Sequence, residues 1–73
     1  MEVRPSTVYW ARIGPVNAQK LASLISSHFS KTFDIASDNG GESWDVYTYE
    51  QIKPDDNRQI HYFVKGFLAG LAL

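Results

Sequence analysis

The sequence predicts a small two-layer α+β domain of element order β-α-β-β-α, a three-stranded sheet with two helices packed on one face. Three observations carry this expectation. Residues 6–13 form a β-branched and aromatic run, two later segments space their apolar residues by three and four, and Asp38-Asn39-Gly40-Gly41 lies between two alternating runs. At 73 residues the chain has room for one core, so the expectation is a single domain, 1–73.

The first strand is Ser-Thr-Val-Tyr-Trp-Ala-Arg-Ile at 6–13. Alternation sends Val8, Trp10 and Arg12 one way and Tyr9, Ala11 and Ile13 the other. Pro5, which has no N–H to donate, marks its start or an edge. Gly14-Pro15 then breaks the strand and opens a helix, with proline in the first turn where a missing N–H is harmless. From Asn17 to Ser30 the apolar stripe is Ala18, Leu21, Leu24, Ile25 and Phe29, with His28 on or beside it, and Lys20, Ser23, Ser27 and Lys31 lie opposite. So many serines give a poor helix former, held by its buried stripe rather than by propensity.

Phe33–Ser37 and Ser43–Ile52 flank the Asn-Gly turn as a hairpin, because Asn39 and Gly40 both tolerate positive φ. In the later strand Trp44, Val46 and Thr48 form the core-facing set and Asp45, Tyr47 and Tyr49 the outer one. Lys53-Pro54-Asp55-Asp56 ends the sheet, with Asp55 or Asp56 capping the last helix. Ile60, Phe63, Val64, Phe67, Leu68 and Leu71 then follow the cleanest amphipathic pattern in the chain. A right-handed crossover through the first helix leaves strands one and two either parallel neighbours or separated by the third.

Composition narrows the functional classes. Apolar content of 44% is that of a globular chain, and no run approaches the ~18 apolar residues of a membrane span. Cysteine is absent, which excludes disulfides and thiolate metal sites and fits the cytoplasm. Self-association is then the support left to so short a chain. Charge is segregated: between Asp34 and Asp56, seven carboxylates face only Lys53, for a formal −6. Elsewhere Glu2 stands against Arg4, Arg12, Lys20, Lys31, Arg58 and Lys65, for +5. Such separation creates a field that a charged partner feels.

The acidic hairpin is therefore the first candidate site. Asp38, Glu42, Asp45 and Glu50, with Tyr47 and Tyr49, form an acidic and aromatic surface suited to a protein with a basic surface, tyrosine being a common interface anchor. Tyr47 and Tyr49, joined by Tyr9, also suggest a platform for stacking bases. Asp45 and Glu50 on the same strand repel phosphate, so nucleic acid is disfavoured as a ligand. The alternative nucleic-acid reading needs the scattered basic residues, with Arg58, His61 and Lys65 as a helical stripe, to converge on one face. The spacing at 38–45 does not match a calcium loop, and the glycines match no phosphate-binding loop. His28 and His61 have no nucleophile placed beside them, so no catalytic residue, metal or cofactor is assigned and an enzyme is not expected.

Size, lack of cysteine and a segregated acidic surface resemble those of the small inhibitors that phages make against host nucleases or CRISPR complexes, a likeness of type that transfers no residue. The expectation is a protein-binding module, an inhibitor of a nucleic-acid-handling host protein. The alternative is a homodimeric structural or accessory protein assembling through Phe67, Gly70, Leu71 and Leu73. Gly66 and Gly70 have small-xxx-small spacing that allows close approach, and the helix ends apolar on every side, which calls for burial under the sheet or against a second copy.

Overall fold

A computed structural model describes residues 6–71. It contains β1 (Thr7–Ile13), α1 (Pro15–Phe29), β2 (Asp34–Ala36), β3 (Trp44–Thr48) and α2 (Pro54–Leu71), in the β-α-β-β-α order read from the sequence. Expectations resting on Glu2, Arg4, Pro5 and Leu73 lie outside the described residues. The sheet order is β1-β3-β2, and β3 runs antiparallel to both neighbours. Strands one and two are thus parallel and separated by the third, one of the two arrangements expected.

Registration explains why the core forms where it does. Tyr9, Val46 and Ile35 lie in one row across all three strands and point to the helices. Tyr9 and Val46 are buried there, and α1 covers them with Ala18, Leu21, Ala22 and Ile25. α2 adds Ile60 and Val64, with Phe63, Phe67 and Leu68 packed at the margin. Alternation separates Tyr9, Ala11 and Ile13 from Val8, Trp10 and Arg12 without saying which set faces the helices, and the structure turns the Tyr9 set inward. The suggestion that Tyr9 joins an outer aromatic platform is corrected: it is 1% exposed, and its hydroxyl donates to Asn57 Oδ1 at 2.7 Å.

Several local readings are adjusted. The positive φ angles of the hairpin loop fall at Gly40 and Gly41, not at Asn39. Asn39 acts instead through its side chain, accepting from the Ser43 N–H at 3.0 Å and donating to the Ser43 hydroxyl at 2.8 Å. β3 stops at Thr48 rather than Ile52. The buried Thr48 hydroxyl donates to the Thr32 carbonyl at 2.8 Å and accepts from the Glu50 N–H at 3.0 Å, turning the chain off the ladder. α1 ends at Phe29, where Ser30 takes a left-handed φ of 54°.

Ser26 then fixes the exit of α1, donating to the Ala22 carbonyl at 2.7 Å and accepting from the Phe33 N–H at 3.1 Å. α2 begins at Pro54, with the Lys53 carbonyl accepting from the Asn57 N–H at 2.8 Å, so Asp55 and Asp56 lie inside the first turn rather than at the cap. Trp44, expected in the core, is half-buried at the margin and donates its indole N–H to the Gly41 carbonyl at 3.2 Å.

Candidate functional site

Both helices lie on the Tyr9–Val46–Ile35 side of the sheet, and among the described residues no element covers the opposite side. The shortest molecular extent, 17 Å, accommodates two layers. Outward-pointing residues again follow the register: Val8, Tyr47 and Asp34 share one row, and Asp45 and Ala36 the next. Val8, Trp10, Tyr47, Tyr49, Asp38 and Asp45 line a shallow concavity of about 300 Å³, with Ala36 and Ser37 completing it. Trp10 is 61% exposed and Tyr49 56% exposed, so two large aromatic side chains stand in solvent at its walls. The Tyr47 and Tyr49 rings meet edge to face with centroids 5.3 Å apart.

The geometry of this face depends on a bulge in β1. Tyr9 pairs with Val46 and Ile13 with Trp44, so Trp10, Ala11 and Arg12 together stand opposite the single residue Asp45. Arg12 takes φ 52°, a left-handed conformation that costs a non-glycine residue about 1 kcal/mol. The bulge removes the Arg12 N–H from the ladder, and Asp45 Oδ1 accepts it at 2.9 Å. Asp45 is accordingly 4% exposed although its strand position is an outer one. The Arg12 guanidinium continues across the face, giving two hydrogen bonds to the Asp38 carboxylate at 2.6 and 3.2 Å and lying 3.7 Å from Asp45 Oδ2. Its carbon sits 5.0 Å from the Trp10 ring centroid.

These contacts set the electrostatics. The hydrogen bonds from Arg12 hold the Asp38 carboxyl below its ordinary value, and the same pairing raises Arg12. The Tyr47 phenol is raised first by burial, then by the charge of Tyr49 and Asp34. The Tyr9 phenol on the core side is pushed up to about 12 by burial. Among the described residues, no buried side-chain nitrogen or oxygen lacks a hydrogen-bond partner.

Of the residues singled out in the acidic hairpin, the structure gathers Asp38, Asp45, Tyr47 and Tyr49 around one concavity. Asp45 is buried and bonded internally, so it supports this face from within. Glu42 is exposed on the loop between β2 and β3 and does not line the concavity. Glu50 lies beyond the end of β3, where its carboxylate accepts the Thr32 N–H, and it too is not part of the lining. Trp10 and Val8 were not assigned to a site; alternation put them on one side of β1 together, and the structure shows that side to be the outer one.

On α2, Phe67 is half-buried against the core and Leu71 is 42% exposed, so the helix end is not buried under the sheet. Among the described residues a Cβ at Gly66 or Gly70 would meet nothing within 4 Å, so no close approach among them requires either glycine. His28 is exposed at the α1–α2 seam, its ring centroid 4.8 Å from that of Phe29 and 5.9 Å from that of Phe63. His61 is exposed against the Tyr9 ring at 5.0 Å.

Arg58 lies 3.9 Å from Asp55 and Arg12 is held by Asp38, so two of the six scattered basic residues already face carboxylates. Among the described residues, no helix is long and apolar enough to cross a membrane, and no group of three or more His, Asp or Glu side chains is placed to hold a metal ion. Compared with protein-family models, curated proteins and solved structures, the chain matches none.

Proposed function

We propose that this chain is a small cytoplasmic protein-binding module whose outer sheet face covers a basic surface on a larger partner, in the manner of a phage-type inhibitor of a nucleic-acid-handling protein. The observation that supports this reading best is the open concavity itself, in which exposed Trp10 and Tyr49 stand beside Tyr47 and the Asp38 carboxylate. Exposed aromatics with a polar rim are what interface anchors look like before binding. Asp34, Asp38 and Glu42 are exposed on or near this side and outnumber Arg12, and this excess of carboxylates gives it the sign that seeks basic protein and repels phosphate. A nuclease or CRISPR effector, whose working groove is basic, suits this chemistry.

The test is capture from a lysate of the source cell or its host with wild type, Trp10→Ala/Tyr49→Ala and Asp34→Lys/Asp38→Lys/Glu42→Lys proteins. The captured protein is then titrated in purified form at two salt concentrations. A basic partner lost with both variants, and bound more weakly at higher salt, supports the reading. A partner held equally by all three proteins removes this face from the account.

A second reading, homodimerisation through α2, is favoured by the open Gly66 and Gly70 positions and by exposed Tyr62 and Leu71. Sedimentation of wild type against Leu71→Glu tests it. A dimer that the substitution dissociates supports that reading, and a wild-type monomer at high protein concentration removes it.

A further inference from the structure

We propose that the outer concavity is a seat for an arginine side chain of the partner, received between Trp10, Tyr47 and Tyr49 with Asp38 at its end. This rests on the reading of the face as a protein-binding surface and names the group that the surface takes. A concavity of about 300 Å³ is large enough for one long side chain and too small for a folded segment. Aromatic rings carry a negative face that attracts a cation, and a planar guanidinium both stacks on such rings and forks onto a carboxylate.

The molecule already displays this recognition once. Arg12, from the bulge next to the concavity, lies 5.0 Å from the centre of Trp10 and makes two hydrogen bonds to Asp38. Trp10 and Asp38 also line the concavity, and a carboxylate has about four acceptor sites, of which Arg12 takes two. Arg12 and the ligand's guanidinium would then share Asp38 from opposite sides. Arg12 also orients the carboxylate and keeps it ionised. A lysine ammonium would answer the charge but neither stack nor fork, so the seat distinguishes the two cations.

The test is a titration of the ¹⁵N-labelled protein with three capped tripeptides, Gly-X-Gly, in which X is arginine, lysine or citrulline, the neutral shape-match of arginine. The Trp10 indole N–H is the reporter. That of Trp44, held by the Gly41 carbonyl away from the concavity, is the control. The arginine peptide is expected to move Trp10 and not Trp44 with a dissociation constant on the order of 1 mM, and citrulline to bind at least about tenfold more weakly. Lysine should fall between them. Trp10→Ala, read at the backbone N–H of Ala36, and Asp38→Asn should each weaken the arginine peptide, and both positions are exposed enough for the variants to fold.

Equal binding of arginine and citrulline, equal binding of arginine and lysine, or no movement of Trp10 at saturating peptide each overturns the seat. These failures are separable from failure of the binding-module reading. A partner lost with Trp10→Ala/Tyr49→Ala while the arginine peptide does nothing leaves the module standing and removes only the guanidinium.

Discussion

Replacing Asp45 by alanine removes the acceptor that closes the β1 bulge, and the cost can be worked from its contacts. The Arg12 N–H loses a carboxylate acceptor at 2.9 Å, and a hydrogen bond to a charged group contributes about 1.5–3 kcal/mol. The guanidinium, 3.7 Å from Oδ2, loses one of its two carboxylates. Because Arg12 is half-exposed, this attraction is close to its aqueous magnitude, about 1 kcal/mol. The left-handed strain at Arg12 persists with nothing to offset it.

Asp45→Ala should therefore destabilise by about 2.5–4 kcal/mol, or roughly 10–30 °C in Tm for a domain of this size. Asp45→Asn keeps an oxygen for the Arg12 N–H but weakens that bond and loses the attraction of the guanidinium, so its cost should be about 2–2.5 kcal/mol. Thermal and urea unfolding followed by circular dichroism at 222 nm measures both. An alanine variant within about 0.5 kcal/mol of wild type, or alanine and asparagine variants of equal stability, shows that the carboxylate does not hold the bulge and refutes this account of why an outer strand position is buried.

Four further outcomes follow from the geometry. Ser30→Gly relieves a left-handed serine at the end of α1 and should raise stability by about 0.5–1 kcal/mol in the same unfolding assay; a loss would mean that the serine side chain contributes more than its backbone costs. Thr48→Val removes a buried hydroxyl that serves the Thr32 carbonyl and the Glu50 N–H, and should cost about 1–3 kcal/mol, visible as a lower urea midpoint at unchanged slope. Burial raises the folded-state pKa of Tyr9 from 10.0 to about 12, so its contribution is complete below pH 10 and lost as pH rises through about 12. Absorbance at 295 nm should show one phenolate step that coincides with alkaline unfolding and disappears in Tyr9→Phe. The pairing with Arg12 depresses Asp38, so its small stabilisation is present above the ordinary carboxylate range and is lost as pH falls through its lowered value; Asp38→Asn should flatten that part of an acid titration.

Most of the framework was legible in the sequence because burial writes itself locally. Ile60, Phe63, Val64, Phe67 and Leu68 announce one side of a helix by their spacing, and Tyr9 and Ala11 against Val8 and Trp10 announce the two sides of a strand. Strand order was narrowed by handedness alone. The bulge was not legible. Its left-handed residue is an arginine, not the glycine that usually marks such a site, and the group that stabilises it lies 33 positions away. That missing piece hid another: that Asp45 is spent inside the molecule. Carboxylates counted along the chain give the charge of the hairpin, but only the fold shows which of them remain available to another molecule.

Because β3 is the central strand and lies between two strands that precede it in the chain, the outer face exists only once all three strands have paired. Val8 and Trp10 come from near position 10 and Tyr47 and Tyr49 from near two-thirds of the chain, so no piece shorter than residues 8–49 contains both walls of the concavity. Occupancy and folding are therefore thermodynamically linked: a partner present at a hundredfold its dissociation constant adds about 2.7 kcal/mol to stability. In a domain this small, that is a large fraction of the total. Core substitutions such as Val46→Ala will weaken apparent affinity without touching the face once they leave part of the population unfolded, and a saturating partner will restore much of the lost melting temperature.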